Sequence, residues 1–335
     1  MKITVAGNKS KNELDYYVWK DAIDNNLIHY IPEVYKKNVF FYIWWPIYCL
    51  AFSRKVCKIL PIVAKLQDYI ENVKIKKLFI CNIPNDSEIV IISGVTICKF
   101  GRKRLQMLKK NGCKIILFLH DPIQGINDKS CINTMHNCYA LGIIDYVYSF
   151  DKNDCAKYGF NHIEQVYTPP IKQQTGNIAY DIYFAGRDKG RYDTLYNIIF
   201  KLAAAGLSCF VRMPEAIHSK NIQLSELLDD KFHTIMIPYS ESVREMICSN
   251  CILDIVQEGQ YGISWRIIEA IYYNKKLLTN NKSILNNKYY NPLYMQYFED
   301  ANDIDFAWIQ KQVNVNYDYD NDYSSLKFIN EIEQL

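Results

Sequence analysis

The sequence predicts an α/β protein of two parallel-sheet domains. Three observations lead there: a length of 335 residues, short apolar runs alternating with helical patterns in both halves, and a polar, proline-bearing break between the halves. A chain this long exceeds the size at which one hydrophobic core usually stops growing. With 49% hydrophobic and 22% charged residues, it has the composition of folded globular proteins.

In the first half, Ile3–Ala6, Ile89–Ser93, Lys114–Leu119 and Tyr146–Ser149 read as buried strands. Arg102–Asn111 is a basic helical stretch closed by Gly112, a natural helix stop. The break is Thr168–Asn177 (TPPIKQQTGN), where two prolines interrupt a polar stretch without periodicity. Residues 1–170 are therefore expected to form an N-terminal domain and 171–315 a C-terminal one, with 316–335 as an acidic loop and a helix docking on the body.

The second half repeats the construction. Strand Asp181–Ala185 precedes a helix with Leu195, Ile198, Ile199, Leu202 and Ala203 on one face, then Gly206 and strand Leu207–Met213. His233–Ile237 follows as a strand, and Ser242 with Glu245 has the spacing of a capping box. Strand Ile252–Val256, a helix from Ile263 to Tyr273 and strand Lys276–Thr279 complete the run. Tyr317–Tyr323 reads as a loop, and Leu326, Ile329, Ile332 and Leu335 make a closing apolar stripe.

The charge balance excludes one class of partner. A net charge of +3 is too small to mark a surface for tracking nucleic acid. The eleven cysteines are scattered through apolar runs and read as reduced thiols. Cys248 and Cys251 have C-x-x-C spacing, but no second pair or nearby histidine completes a zinc site. The N-terminus MKITVAGNKS is not a signal peptide, so a cytoplasmic location is expected. Val39–Phe52 is apolar but too short to span a bilayer. Flanked by lysines and an arginine, it would rest at the inner membrane face or pack as a core or interdomain helix.

Ligands of open parallel sheets bind outside the carboxyl ends of the strands, so the loops there carry the chemistry. After strand Asp181–Ala185 comes GRDKGR, in which Gly186 permits close approach and Arg187, Lys189 and Arg191 suit a diphosphate. Neither a Walker loop nor G-x-G-x-x-G is present. After strand Ile252–Val256 come Glu258, Gln260, Tyr261, Gly262, Ile263 and Ser264, then Arg266 and Glu269 on the following helix. That helix N-terminus suits a phosphate, Arg266 the same anion, and Glu269 a pair of ribose hydroxyls. The plainer reading pairs Arg266 with Glu269 alone.

In these stretches the sequence resembles the GT-B nucleotide-sugar glycosyltransferases, particularly bacterial enzymes of lipopolysaccharide and capsule assembly. The matching segments are Tyr180–Arg191, Ile237–Asp254, Cys251–Asn281 and Asp145–Phe160. The resemblance implies two Rossmann-like domains facing across a cleft. It also implies a nucleotide diphosphate sugar donor, most simply a UDP-sugar, with Gly186 and Arg187 on the diphosphate, Tyr239 beside the base and Glu269 on the ribose. The acceptor it implies is a glycan or a polyprenyl-linked glycan.

Many retaining members carry two glutamates eight positions apart, but Tyr261 stands eight before Glu269 and Glu258 eleven before it. That favours inversion by a base in the N-terminal domain, for which His120, Asp121, Glu13 and Asp15 are the candidates. No tightly bound cofactor or metal is expected, since the D-x-D pairs at Asp303/Asp305, Asp318/Asp320 and Asp320/Asp322 lie in polar stretches near the C-terminus. Two other readings stay open: a nucleotide-sugar epimerase of the same fold, and a non-catalytic glycosyltransferase-like partner subunit.

Overall fold

A computed structural model describes residues 1–7, 14–32, 34–35, 79–80, 83–126, 129–173, 176–214, 218–256 and 260–335. Val39–Phe52, Glu13 and Glu258 lie outside the described residues. The chain divides into two compact units, Met1–Lys11 with Ile23–Tyr148, and Asn12–Ala22 with Ser149–Leu335.

Most strands of the first sheet belong to the first unit. Its order is β2 (Ile28–Ile31), β1 (Ile3–Ala6), β5 (Ile89–Ser93), β6 (Lys114–Leu119), β7 (Tyr146–Ser149) and β8 (Asn161–His162). β1 pairs in parallel with both β2 and β5, with Ile3 opposite Ile28 and Ile89. β1 and β5 are buried along their whole lengths, as expected of strands covered on both faces. A short antiparallel pair, β3 (Val34–Tyr35) with β4 (Phe79–Ile80), stands apart from this sheet.

The N-terminal helices are α1 (Leu14–Val18) and α2 (Lys20–Asp24). α3 spans Ile97–Lys110 but is broken by non-helical backbone at Gly101 (φ +66°), so its basic part starts at Arg102 as read from sequence, and Gly112 follows its cap at φ +86°. Beside it lies α4 (Lys129–Ala140), whose Cys131 is disulfide-bonded. This corrects the expectation of reduced thiols throughout. Cys113, Cys138, Cys155, Cys209, Cys248 and Cys251 are free, with Cys248 capping a helix and Cys251 buried in a strand. α5 (Lys152–Tyr158) is capped by Asp151, whose Oδ1 accepts the amides of Asn153 and Asp154.

The second sheet is parallel throughout, in the order β11 (Phe232–His233), β10 (Cys209–Arg212), β9 (Tyr180–Ala185), β12 (Ser249–Asp254), β13 (Lys276–Thr279) and β14 (Met295–Tyr297). Numbered by appearance the order is 3-2-1-4-5-6, which reverses between β9 and β12. β9 alternates across the sheet. Ile182 and Phe184 join the core under α6 (Tyr192–Ala204), and Tyr183 the core of the opposite face. Residues 234–237 are not strand, so the strand read from sequence at 233–237 ends early.

The remaining helices are α7 (His218–Leu228), α8 (Tyr239–Ile247), α9 (Trp265–Tyr272), α10 (Phe306–Gln310) and α11 (Ser325–Ile332). α8 begins at Tyr239, so Ser242 and Glu245 do not form a capping box. Instead the Tyr183 hydroxyl meets the Ser242 hydroxyl at 2.8 Å, and Glu245 takes a two-pronged bond from the buried Arg212 guanidinium at 2.6 and 2.9 Å. Residues 317–323 carry no helix or strand, in line with the loop read from sequence. Tyr317 and Tyr323 are buried in it, and α11 buries Phe328, Ile329 and Ile332 while Leu335 stays exposed. Phe328 packs on Trp19 with ring centroids 5.8 Å apart, and the Ser325 hydroxyl accepts the Ala22 amide. These contacts place α1 and α2 with the C-terminal part of the chain.

Among the described residues, no helix is long and apolar enough to cross a membrane.

Candidate functional site

The candidate site forms at the switch point of the second sheet, where β9 ends on Ala185 and β12 on Asp254. Asp254 is fully buried, and a buried carboxylate needs partners to offset its lost hydration. It accepts the hydroxyls of Ser264 and Thr279, both at 2.9 Å, and lies 3.4 Å from Arg266 Nη1. Ser264 is also the N-cap of α9, accepting the Ile267 amide. One buried acid thus aligns the cap of α9 with the end of β13.

Arg266 spans the switch point. Its Nε and Nη2 donate to the Ala185 carbonyl at 2.8 and 2.6 Å, and its guanidinium lies 5.2 Å from the Phe184 ring centroid. A Cβ on Gly186 would come within 2.3 Å of Arg266 Nη2 and 3.1 Å of Arg191 Nη2. An added methyl there would have to displace the Arg266 guanidinium.

Arg191 departs from the expected diphosphate contact. It is 7% exposed, and its guanidinium donates to the carbonyls of Ile255, Arg187 and Asp188. Burial, reinforced by the neighbouring Arg266 charge, pushes this guanidinium down to about 10. The loop is closed by Asp188, whose carboxylate accepts the Tyr192 amide at 3.0 Å, and by Lys189 and Gly190 in left-handed conformations. Arg187 and Lys189 are its exposed cations.

Glu269 lies one turn beyond Arg266 and is buried. Its carboxylate accepts a short hydrogen bond from the Tyr239 hydroxyl, which lies 3.2 Å from the Tyr167 hydroxyl. Arg266 spends its hydrogen bonds on Ala185 and Asp254, so the simple Arg266–Glu269 pair is not formed. Burial pushes the Glu269 carboxyl up to about 7, opposed by the Tyr239 hydrogen bond and the Arg266 charge. Tyr17 packs on Tyr239 with centroids 5.7 Å apart, which brings α1 to this end of its unit.

The loop before α9 is held from two sides. Asn281 Nδ2 donates to the Gly262 carbonyl, and the Tyr261 amide donates to Asp151, both at 2.9 Å. A Cβ on Gly262 would lie 2.4 Å from the Phe150 ring and 2.7 Å from its carbonyl oxygen. Ile263 is buried, Gln260 is half-buried and Tyr261 is exposed. Asp254, Asn281 and Asp151 organise this region, yet none was singled out in the sequence. The available signal was an aspartate closing an apolar strand, at a place where parallel strands deliver polar groups to ligands.

Of the acid and base candidates, His120 follows β6 and meets the Ser93 hydroxyl, at the end of β5, in a short hydrogen bond. Asp121 beside it is exposed. Asp15 is half-buried on α1 and belongs to the unit containing the second sheet, not to an N-terminal domain. The D-x-D acids are engaged locally. Asp305 caps α10, Asp320 and Asp322 bind Lys288, and Asp322 also binds Lys327. No cluster of possible metal ligands occurs among the described residues.

No family model and no curated protein matches the sequence. Solved structures do match over the whole chain. Anabaena HepE (Alr3699), solved with UDP and glucose, aligns with a TM-score of 0.59 at 9% identity, covering 100% of this chain and 98% of its own. AviGT4, a glycosyltransferase involved in avilamycin A biosynthesis, aligns at 0.58 and 9% identity, covering 100% and 96%. The Neisseria meningitidis UDP-GlcNAc 2-epimerase, bound to UDP-GlcNAc, reaches 0.50 at 12% identity, covering 100% of both chains. At such identities the likeness is one of fold. The chain has the α/β GT-B architecture, with two six-stranded parallel sheets and their helices. These similar structures include one solved with UDP and glucose, one described as a glycosyltransferase and one epimerase bound to UDP-GlcNAc.

Proposed function

We propose that the protein is a glycosyltransferase that moves a sugar from a nucleotide diphosphate donor, most simply a UDP-sugar, to a glycan or lipid-linked glycan acceptor. The observation that carries this reading is the switch point, where Arg266 joins the ends of β9 and β12 over Gly186 with Glu269 one turn further on. The donor diphosphate would lie over Gly186 and the N-terminus of α9, facing Arg187 and Lys189. Fixed positive charge there would stabilise the diphosphate leaving group as the glycosidic bond breaks. Glu269, held by Tyr239, would accept from the ribose hydroxyls, with Tyr239 beside the base.

Inversion is the favoured stereochemistry, because Tyr261 stands where a retaining enzyme often carries its first glutamate. His120 is the base we favour, since the Ser93 hydroxyl orients its ring. In surface-polysaccharide assembly, the expected setting, the acceptor would be carried on a polyprenyl lipid at the cytoplasmic membrane face.

The test is thermal unfolding with UDP, other nucleotides and their sugars, followed by product analysis. A native-state ligand raises the melting temperature by mass action. UDP and at least one UDP-sugar are expected to do so, and absence of a response to every nucleotide would overturn the reading. Incubation with labelled donor alone tests the epimerase alternative, which the Neisseria likeness keeps in play. Epimerised free donor would replace transfer with epimerisation.

A further inference from the structure

A cavity of about 670 Å³ lies wholly within the unit that holds the second sheet, on the flank of the Tyr261–Ile263 loop. That volume is in the range of small-ligand pockets, roughly 300 to 1,000 Å³. Its buried walls are the rings of Phe150, Tyr323 and Phe328 with Val166. Asn153, Ser283 and Asn286 contribute amides and a hydroxyl, and Tyr261 adds an exposed ring.

The charges around it decide what kind of ligand fits. Lys152, Lys288 and Lys327 are balanced by Glu164, Asp322 and Glu331. Lys288 is committed to Asp320 and Asp322, and Lys327 to Asp322. A phosphate would meet no net positive field, and two of the three lysines already hold carboxylates. Apolar rings combined with neutral donors and acceptors suit a ligand with apolar C–H faces and hydroxyl edges.

The walls are also braced before any ligand arrives. Asn287 Nδ2 donates to the Tyr323 hydroxyl at 2.9 Å, and the Ser324 hydroxyl caps α11 while donating to Asp21 at 2.8 Å. A preformed pocket loses little entropy of its own on binding.

We propose that this cavity is a saccharide-binding site for a neutral, polyhydroxylated glycan chain, separate from the switch-point site and joined to it through the Tyr261–Ile263 loop. Its use for the acceptor or product glycan rests on the proposed transfer reaction; saccharide binding itself does not.

The experiment is ligand-observed saturation-transfer NMR on the full chain, using neutral hexose and N-acetylhexosamine tetrasaccharides at millimolar concentration, in parallel with a UDP titration. At least one tetrasaccharide is expected to bind. Ser283→Trp, which fills the cavity, should weaken it tenfold or more, and the milder Asn153→Ala/Glu331→Ala pair at least threefold, with UDP affinity unchanged in both. Failure of every neutral tetrasaccharide to bind, or binding indifferent to both variants, would overturn the site. Preferential binding of an anionic saccharide would overturn the ligand class. A chain that binds the tetrasaccharide at this cavity but no nucleotide would keep the site and reject the transferase reading.

Discussion

The loops after β9 and β12 look alike in sequence, each combining glycine with arginine at a strand end, but the structure uses their arginines differently. In the first loop Arg191 turns inward onto three backbone carbonyls, and the exposed charge is left to Arg187 and Lys189. In the second, Arg266 grips the other strand's terminal carbonyl and leans on the buried Asp254. A charge counted in a loop is therefore not the same as a charge presented to a ligand. Around this switch point the interior guanidiniums set the shape on which exposed groups act.

The sharpest break of the comparison is Arg191→Met against Arg187→Met. Arg191→Met removes a buried donor from the carbonyls of Ile255, Arg187 and Asp188 and is expected to cost about 3 kcal/mol of stability. Urea unfolding measures this. Arg187→Met, with its exposed side chain, should stay within about 0.5 kcal/mol of the parent. Equal losses in the two variants would erase the distinction between brace and contact.

The two glycines differ in what an added methyl would strike. At Gly262 it meets the ring and backbone oxygen of Phe150, which have little room to yield, so Gly262→Ala should cost about 2 kcal/mol. At Gly186 it meets the mobile end of Arg266, so Gly186→Ala should cost less, about 1 kcal/mol, by displacing the guanidinium from Ala185. Nucleotide affinity should reverse that order, because only Gly186 lies under the proposed diphosphate. Thermal melts and UDP titrations of both variants test the crossing, which would fail if Gly262→Ala were the stronger binding defect.

How much of this was legible from sequence follows from burial. Parallel strands covered on both faces are continuous apolar runs, so Ile3–Ala6, Ile89–Ser93, Lys114–Leu119 and Lys276–Thr279 coincide with the observed strands. The α6 face was equally plain, with Leu195, Ile198, Ile199 and Leu202 all buried. Groups whose role depends on distant partners were not legible. Asp254 is one letter at a strand end until Ser264, Thr279 and Arg266 converge on it. The tail from Tyr317 to Tyr323 reads only as an acidic loop because local composition does not reveal the tyrosines packing against Tyr289 and Tyr272. Glu269 and Arg266 stood out in the sequence as candidate site residues, but not their choice of different partners.

Glu269 gives a pH test that separates the second loop's helix from the first loop's cations. With the Glu269 carboxyl raised to about 7, the carboxylate proposed to accept from the ribose is depleted at pH 6 and dominant at pH 8. UDP-sugar affinity should therefore rise by about tenfold, or about 1.4 kcal/mol, across that interval. The sign for stability is opposite. The folded state holds this proton more tightly than the unfolded chain, so its contribution is fully present below the unfolded carboxylate range and is lost as pH rises through about 7. Glu269→Gln should flatten both profiles. A variant that keeps the parental pH dependence of binding would remove Glu269 from the ribose.

The smallest effect is the most specific. The Arg187 and Lys189 side chains are exposed, and Lys189 already adopts a left-handed backbone at φ +46°. Lys189→Gly should leave stability unchanged or slightly raised, since glycine adopts that conformation without a steric penalty. If these two residues face the diphosphate, each loss of charge should weaken UDP binding a few-fold while uridine binding holds. The losses should shrink with added salt, as expected for exposed charges. Uridine and UDP weakening together would mean that the loop shapes the site without touching phosphate, leaving Arg266 and the N-terminus of α9 to hold the anion.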